Sequence, residues 1–115
     1  MNILVIDDEV LVLEMVQTAL RRLKFNVDIA QDVAQGIAKF DHGAYDLVIT
    51  DVRMPGVDGT AVVHHIRKSK RDHTPVLGLS GTPWLLQNCG FDEVLDKPFS
   101  LHLLIEKTKR LTHLC

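Results

Sequence analysis

Three runs in the sequence have no polar side: Ile3-Leu4-Val5-Ile6, Leu47-Val48-Ile49 and Val76-Leu77-Gly78-Leu79. A strand that alternates apolar and polar residues can keep one face in water, but a strand apolar throughout needs cover on both faces. Between these runs, apolar residues recur at helical spacing. The first set is Leu13, Val16, Leu20 and Leu23, the second Val33, Ile37 and Phe40, the third Val62 and Ile66, and the last Leu101, Leu104, Ile105 and Leu111. Two weaker strands complete the series. Phe25, Val27 and Ile29 alternate with polar or small neighbours, and Glu93-Val94-Leu95 is brief. Strand and helix therefore alternate along the whole chain, which predicts a parallel sheet covered by helices on both faces.

The patterns also predict an order. The half-polar second strand and the short fifth belong at the edges, and the first, third and fourth belong in the centre. The order 2-1-3-4-5 meets both demands with right-handed crossovers, giving a flavodoxin-like, doubly wound α/β fold. Asp32 and Ser100 read as helix caps, and Gly43 stands near the end of the helix that Asp32 opens. Thr82-Pro83 reads as a cap followed by proline at the first helical position, and Gly90 follows so soon that this fourth helix must be short. The run from Arg67 to Arg71 reads as a solvated helix C-terminus favoured by the dipole.

A chain of 115 residues predicts one domain, residues 1–115, with no output domain after the last helix. A net charge of −2 gives no general reason to expect nucleic acid or an acidic membrane surface as a partner. No stretch has the length of a membrane span, and the opening strand leaves no room for a signal peptide. Cys89 and Cys115 have neither metal-ligand nor redox spacing, so a reducing, cytoplasmic setting is expected.

Five polar residues stand where strands end. Asp7 and Asp8 follow the first strand, Asp51 the third, Ser80 the fourth and Lys97 the fifth. In an open parallel sheet, ligands bind beyond the carboxyl ends of the strands, at the point where neighbouring connections leave in opposite directions. The fold would gather all five there. Three carboxylates in one place repel each other unless a cation joins them, and an oxygen-only set suits Mg²⁺, with Mn²⁺ as a substitute. Three aspartates and one lysine leave a formal charge that one divalent ion cancels. A metal, an ammonium and a hydroxyl beside a free carboxylate make an electrostatic clamp for a transferring phosphoryl group, with Asp51 as nucleophile.

At these residues the chain resembles the receiver domain of bacterial two-component response regulators. The resemblance is carried by Asp7-Asp8, Asp51-Val52-Arg53-Met54-Pro55 with Asp58-Gly59, Ser80-Gly81 and Lys97-Pro98-Phe99. It implies that Asp51 takes a phosphoryl group from the phosphohistidine of a sensor kinase or histidine phosphotransfer protein. It implies Mg²⁺ on Asp8, Asp51 and the Arg53 backbone carbonyl, with Asp7 supporting the metal partly through water. Lys97, Ser80 and Gly81 would hold the phosphoryl oxygens, and a cis peptide would precede Pro98. Arg53 and Thr82 would tune the phosphate lifetime. Such a domain catalyses its own phosphorylation and dephosphorylation and is not an enzyme with a separate substrate.

Two departures from the family pattern bear on the readout. Val94 stands where relatives carry an aromatic switch residue, and the segment from Ser80 to Lys97 is shortened in its fourth helix, next to the only tryptophan, Trp84. Trp84 is expected either to fill volume or to touch a partner. Two other readings therefore stay open. One is a phosphorylation-independent interaction module. The other is an aspartyl-phosphate phosphohydrolase, although Arg53 occupies the place of its second acid. His64-His65 and His73 are expected to be surface or half-buried side chains, since adjacent helical residues diverge by about 100° and cannot chelate from one face.

Overall fold

The computed structural model describes residues 1–53, 59–81 and 90–112. The elements are β1 (Asn2–Ile6), α1 (Val10–Arg22), β2 (Asn26–Ala30), α2 (Val33–His42), β3 (Leu47–Asp51), α3 (Thr60–Arg67), β4 (Val76–Ser80), β5 (Glu93–Asp96) and α4 (Leu101–Leu111). All strand pairs are parallel, in the order β2-β1-β3-β4-β5. The expected short helix after Pro83 lies outside the described residues, as do Thr82, Trp84 and both cysteines. Among the described residues, no helix is long and apolar enough to cross a membrane.

Burial follows the sequence pattern. Every residue of β3 and β4 is buried, and β1 is buried after Asn2, whereas β2 alternates and β5 is only partly covered. Because side chains of a strand alternate in direction, each central strand feeds two cores. Ile3, Val5, Leu47, Ile49, Leu77 and Leu79 pack with Leu13, Val16 and Leu20 of α1 and Leu104 of α4. Leu4, Ile6, Val48 and Val76 pack on the other face with Val33 and Phe40 of α2 and Val62, Val63 and Ile66 of α3. Each fully buried aliphatic side chain contributes roughly 1.5–3 kcal/mol, so these two layers hold the strand exits in fixed register.

Helix starts follow local chemistry. Asp32 caps α2 by accepting from the Gln35 N–H at 2.7 Å, and the Gln35 side chain accepts from the Gln31 N–H at 3.1 Å. Ser100 caps α4 through the Leu103 N–H at 3.1 Å. The inner side of α4 differs from expectation in one residue. Leu104 and Thr108 are buried, but Leu101 is exposed and shares a shallow depression with Leu11 and Met15 of α1. The first turn of α4 overhangs the sheet core and meets the outer side of α1.

The basic run after α3 also departs from a simple solvated end. Arg67 donates to the carbonyls of Asp72 (2.8 Å), Thr74 (2.7 Å) and Gly90 (3.0 Å) and to the Asp92 carboxylate (2.8 Å). Arg71 donates to the Phe40 carbonyl at 3.1 Å and to that of Gly43. These guanidiniums satisfy carbonyls in the loops around α3 and β4 and at the end of α2, a role beyond that of a solvated helix end. His65 is half-buried, with Nε2 2.6 Å from Asp41 Oδ1, while His64 and His73 are exposed.

Gly78 marks a second compensation. A β-carbon there would come within 2.8 Å of the Phe91 ring, so the aromatic lies directly on the β4 backbone and joins the core of the α2–α3 face. Gly90, at φ +91°, makes the turn into Phe91, and a β-carbon on it would meet Val63 at 2.8 Å. The half-buried Val94 pairs in register with Gly78. Phe91 therefore supplies the bulk at a position where β4 itself has none.

Candidate functional site

Each acid is set by the strand that precedes it. Sheet pairing runs one residue past β1, with the Asp7 N–H donating to the Ala30 carbonyl at 3.1 Å. Asp7 is fully buried, and its two oxygens have separate duties. Oδ1 accepts from the Glu9 N–H at 2.9 Å, and Oδ2 accepts from Lys97 Nζ at 3.1 Å. Asp8, next in the chain, is exposed.

Asp51 is the last residue of β3 and only 4% exposed. The chain behind it is gripped on both sides: the Val52 N–H donates to the Leu79 carbonyl at 3.0 Å and the Gly59 N–H to the Val52 carbonyl at 2.8 Å. A β-carbon at Gly59 would stand 2.1 Å from the Asp51 carbonyl oxygen. Only glycine lets the start of α3 close so tightly on the strand exit.

Lys97 comes from the far edge. Its N–H donates to the Ser80 carbonyl at 2.9 Å, carrying the β4–β5 pairing beyond Asp96, and the Lys97–Pro98 peptide is cis, as the resemblance implies. Nζ lies 3.1 Å from Asp7, 3.3 Å from Asp51 and 3.6 Å from Glu9. Ser80 ends β4 with its side chain buried, and Gly81 follows, exposed, with none of the described residues within 4 Å of where a β-carbon would stand. Arg53 is exposed two residues after Asp51.

Asp7, Asp8 and Asp51 each offer a carboxylate oxygen within 4.8 Å of the others. Burial pushes the Asp51 pKa up to about 6, with the Asp7 charge adding to the rise and Lys97 opposing it. Burial also raises Asp7, against the pull of its hydrogen bonds from Glu9 and Lys97. Burial alone would lower Lys97, yet its hydrogen bond to Asp7 and the charges of Asp7 and Asp51 win, and its pKa rises. Burial, the largest cause for both acids, opposes their ionisation, and once ionised these acids call for countercharge beyond that of Lys97. A hard divalent cation on the carboxylate oxygens meets that need, so the donor set fits Mg²⁺.

The structure thus brings Asp7, Asp8, Asp51 and Lys97 into one cluster at the carboxyl edge, with Ser80 on the adjoining strand exit. Thr82 and Trp84 lie outside the described residues. Glu9 was missed as a participant. It is the third member of an acidic run whose first two residues carry the pattern, and only the fold reveals its approach to Lys97.

Residues 3–109 match the family model of the response regulator receiver domain. The chain is 31% identical over 96% of its length to the transcriptional regulatory protein TrcR of Mycobacterium tuberculosis, of which it covers 44%. It spans about half the length, or less, of the curated relatives it matches first. Among solved structures, the response regulator TrrA of Thermotoga maritima, in complex with Mg²⁺ and BeF, aligns with a TM-score of 0.86 and 35% identity, covering 96% of this chain and 97% of that one. The chemotaxis response regulator CheY4 of Vibrio cholerae aligns with a TM-score of 0.89 and 28% identity, covering 96% and 97%.

Proposed function

The chain belongs to the receiver domain family of two-component response regulators, and on that premise we propose that it accepts a phosphoryl group on Asp51 and thereby alters its affinity for a protein partner. One observation carries the reading. A buried carboxylate with a raised pKa faces both an ammonium and two further acids at the carboxyl edge of the sheet.

Asp51 Oδ attacks phosphorus as the P–N bond of a donor phosphohistidine breaks, and the leaving imidazole nitrogen keeps the bonding pair and takes a proton. Asp8, Asp51 and the Arg53 carbonyl would hold Mg²⁺, with Asp7 behind them; when bound, the metal supplies charge neutralisation for the phosphoryl oxygens. Lys97 hydrogen-bonds those oxygens, and the Ser80 hydroxyl and the backbone at Gly81 close on them. Arg53 and Thr82 would tune the lifetime of the acyl phosphate. Receiver domains are signalling proteins, and no turnover of a separate substrate is part of the reading.

A groove lined by Val12, Met15, Pro98 and Phe99 opens beside Lys97 and Glu9, and Leu11 nearby is 80% exposed. An apolar rim next to a charged site supports a protein as donor, namely a sensor histidine kinase or histidine phosphotransfer protein. This implies a cytoplasmic setting. Downstream, Val94 in place of an aromatic favours a second reading, a module that binds its partner without phosphorylation, with Trp84 as a contact.

Incubation with a phosphodonor and Mg²⁺ should give a base-labile phosphate on the wild-type chain and none on Asp51→Asn. Metal-dependent labelling that survives the substitution would remove the assignment. Partner capture that is equal with and without beryllofluoride would favour the phosphorylation-independent module.

A further inference from the structure

Glu9 is an acid that the metal cluster does not use. The carboxylates whose oxygens converge are those of Asp7, Asp8 and Asp51, whereas Glu9 Oε1 faces Lys97 Nζ at 3.6 Å. Its side chain is 62% exposed, against 0% for Asp7 and 6% for Asp51. An ammonium has three donors; Lys97 Nζ gives one to Asp7 at 3.1 Å and faces the Asp51 and Glu9 carboxylates as ion partners at 3.3 and 3.6 Å. New oxygens on Asp51 require one partner to yield. Asp7 is buried and also tied to the Glu9 N–H, and Asp51 itself carries the incoming group. Glu9 has the longest contact and can return to water at small cost.

We propose that Glu9 competes with the phosphoryl group for Lys97 and so sets how readily Asp51 accepts phosphate from a small anionic donor. This rests on Asp51 as phosphoacceptor. With acetyl phosphate, a P–O bond to Asp51 forms as the P–O bond to the acyl oxygen breaks, and acetate leaves with the bonding pair. Lys97 stays protonated throughout and turns from its ion contact with Glu9 toward the phosphoryl oxygens. Glu9 makes and breaks no covalent bond, so it is a positioning residue acting through Lys97. Its carboxylate, on the open side of the ammonium, also repels a dianionic donor. Although Glu9 is the N-cap residue of α1, its side chain makes no capping bond, so its replacement leaves the helix start intact.

The test uses the full chain as wild type, Glu9→Gln and Glu9→Asp, with Asp51→Asn as the blank. It reads the initial rate of labelling by acetyl phosphate at saturating Mg²⁺, the apparent affinity for beryllofluoride, and the Mg²⁺ dissociation constant by calorimetry. Glu9→Gln should raise the labelling rate and beryllofluoride affinity about fivefold at low salt, the scale of one unit charge a few ångströms away in a water-like dielectric. The gain should shrink as ionic strength rises, and the Mg²⁺ dissociation constant should change less than about twofold, since Glu9 is not a ligand. Glu9→Asp, which keeps the charge but withdraws it from Lys97, should fall between the two. Unchanged or slower labelling by Glu9→Gln overturns the proposal, as does a loss of Mg²⁺ affinity in step with it. Glu9→Asp indistinguishable from wild type, beside an altered Glu9→Gln, overturns the contact with Lys97. Labelling that survives in Asp51→Asn strikes the phosphoacceptor reading instead, whatever Glu9 does.

Discussion

The two ends of the sheet treat charge in opposite ways. At the amino end, charged groups are matched to partners. Arg67 bonds three carbonyls and Asp92, and the Asp92 carboxylate also accepts from the Val76 N–H at 2.7 Å. Tyr45 donates to Asp28 at 2.7 Å, and burial with that bond pushes its pKa up to about 12. At the carboxyl end, Asp7, Asp51 and Glu9 face the Lys97 ammonium while Asp8 clusters with Asp7 and Asp51, and Asp51 is held ionised only against its burial. A structural end satisfies its polar groups; a binding end leaves a charge for something else to satisfy. The difference locates function more sharply than any single residue does.

That contrast can be broken by substitution. Arg67→Ala should have the largest effect, a loss of about 2–3 kcal/mol, because it strips partners from three carbonyls and a carboxylate. The midpoint of urea unfolding measures it. Asp51→Asn should do the reverse and stabilise the metal-free chain by about 1–2 kcal/mol at neutral pH, since it removes a buried charge from an unbalanced cluster. Destabilisation of similar size at both ends would erase the distinction.

The pH dependence sharpens it further. Folded Asp51 keeps its proton up to about 6, while in the unfolded chain the carboxyl titrates at its ordinary value of 3.8. Between those values the folded state binds more protons, so stability should fall as pH rises through that window and level off above it. Saturating Mg²⁺ should flatten the fall, and thermal unfolding from acid to neutral pH with and without the metal reads both. A metal-free chain whose stability rises through the window would mean that the site is already balanced.

Much of this was legible because it is local. The strand order follows from which runs lack a polar side, the caps at Asp32 and Ser100 from a polar residue before an apolar stripe, and the grouping of Asp7, Asp8, Asp51 and Lys97 from their positions at strand exits. What was not legible depends on residues distant in sequence. Nothing near Glu9 says that it reaches Lys97, because that contact exists only once β1 and the end of β5 are placed by the sheet. Arg67 looked like one of several cations favoured by a helix end, and the carbonyls it serves become visible only when the loop before β4 and the turn into β5 come together. Phe91 could not be paired with Gly78 before the chain doubled back. Leu101 kept the helical spacing of its stripe but not its burial, since spacing does not say how far a helix overhangs its sheet.

On the proposed function, Asp51, and not its acidic neighbours or a histidine, carries the phosphoryl group. Borohydride reduction of the phosphodonor-treated chain, followed by peptide sequencing in a mass spectrometer, converts an acyl phosphate into a stable mark on the residue that bore it. The mark should fall on Asp51 and depend on Mg²⁺. A mark on Asp7 or Asp8, or phosphate retained only on a histidine such as His64, would contradict it.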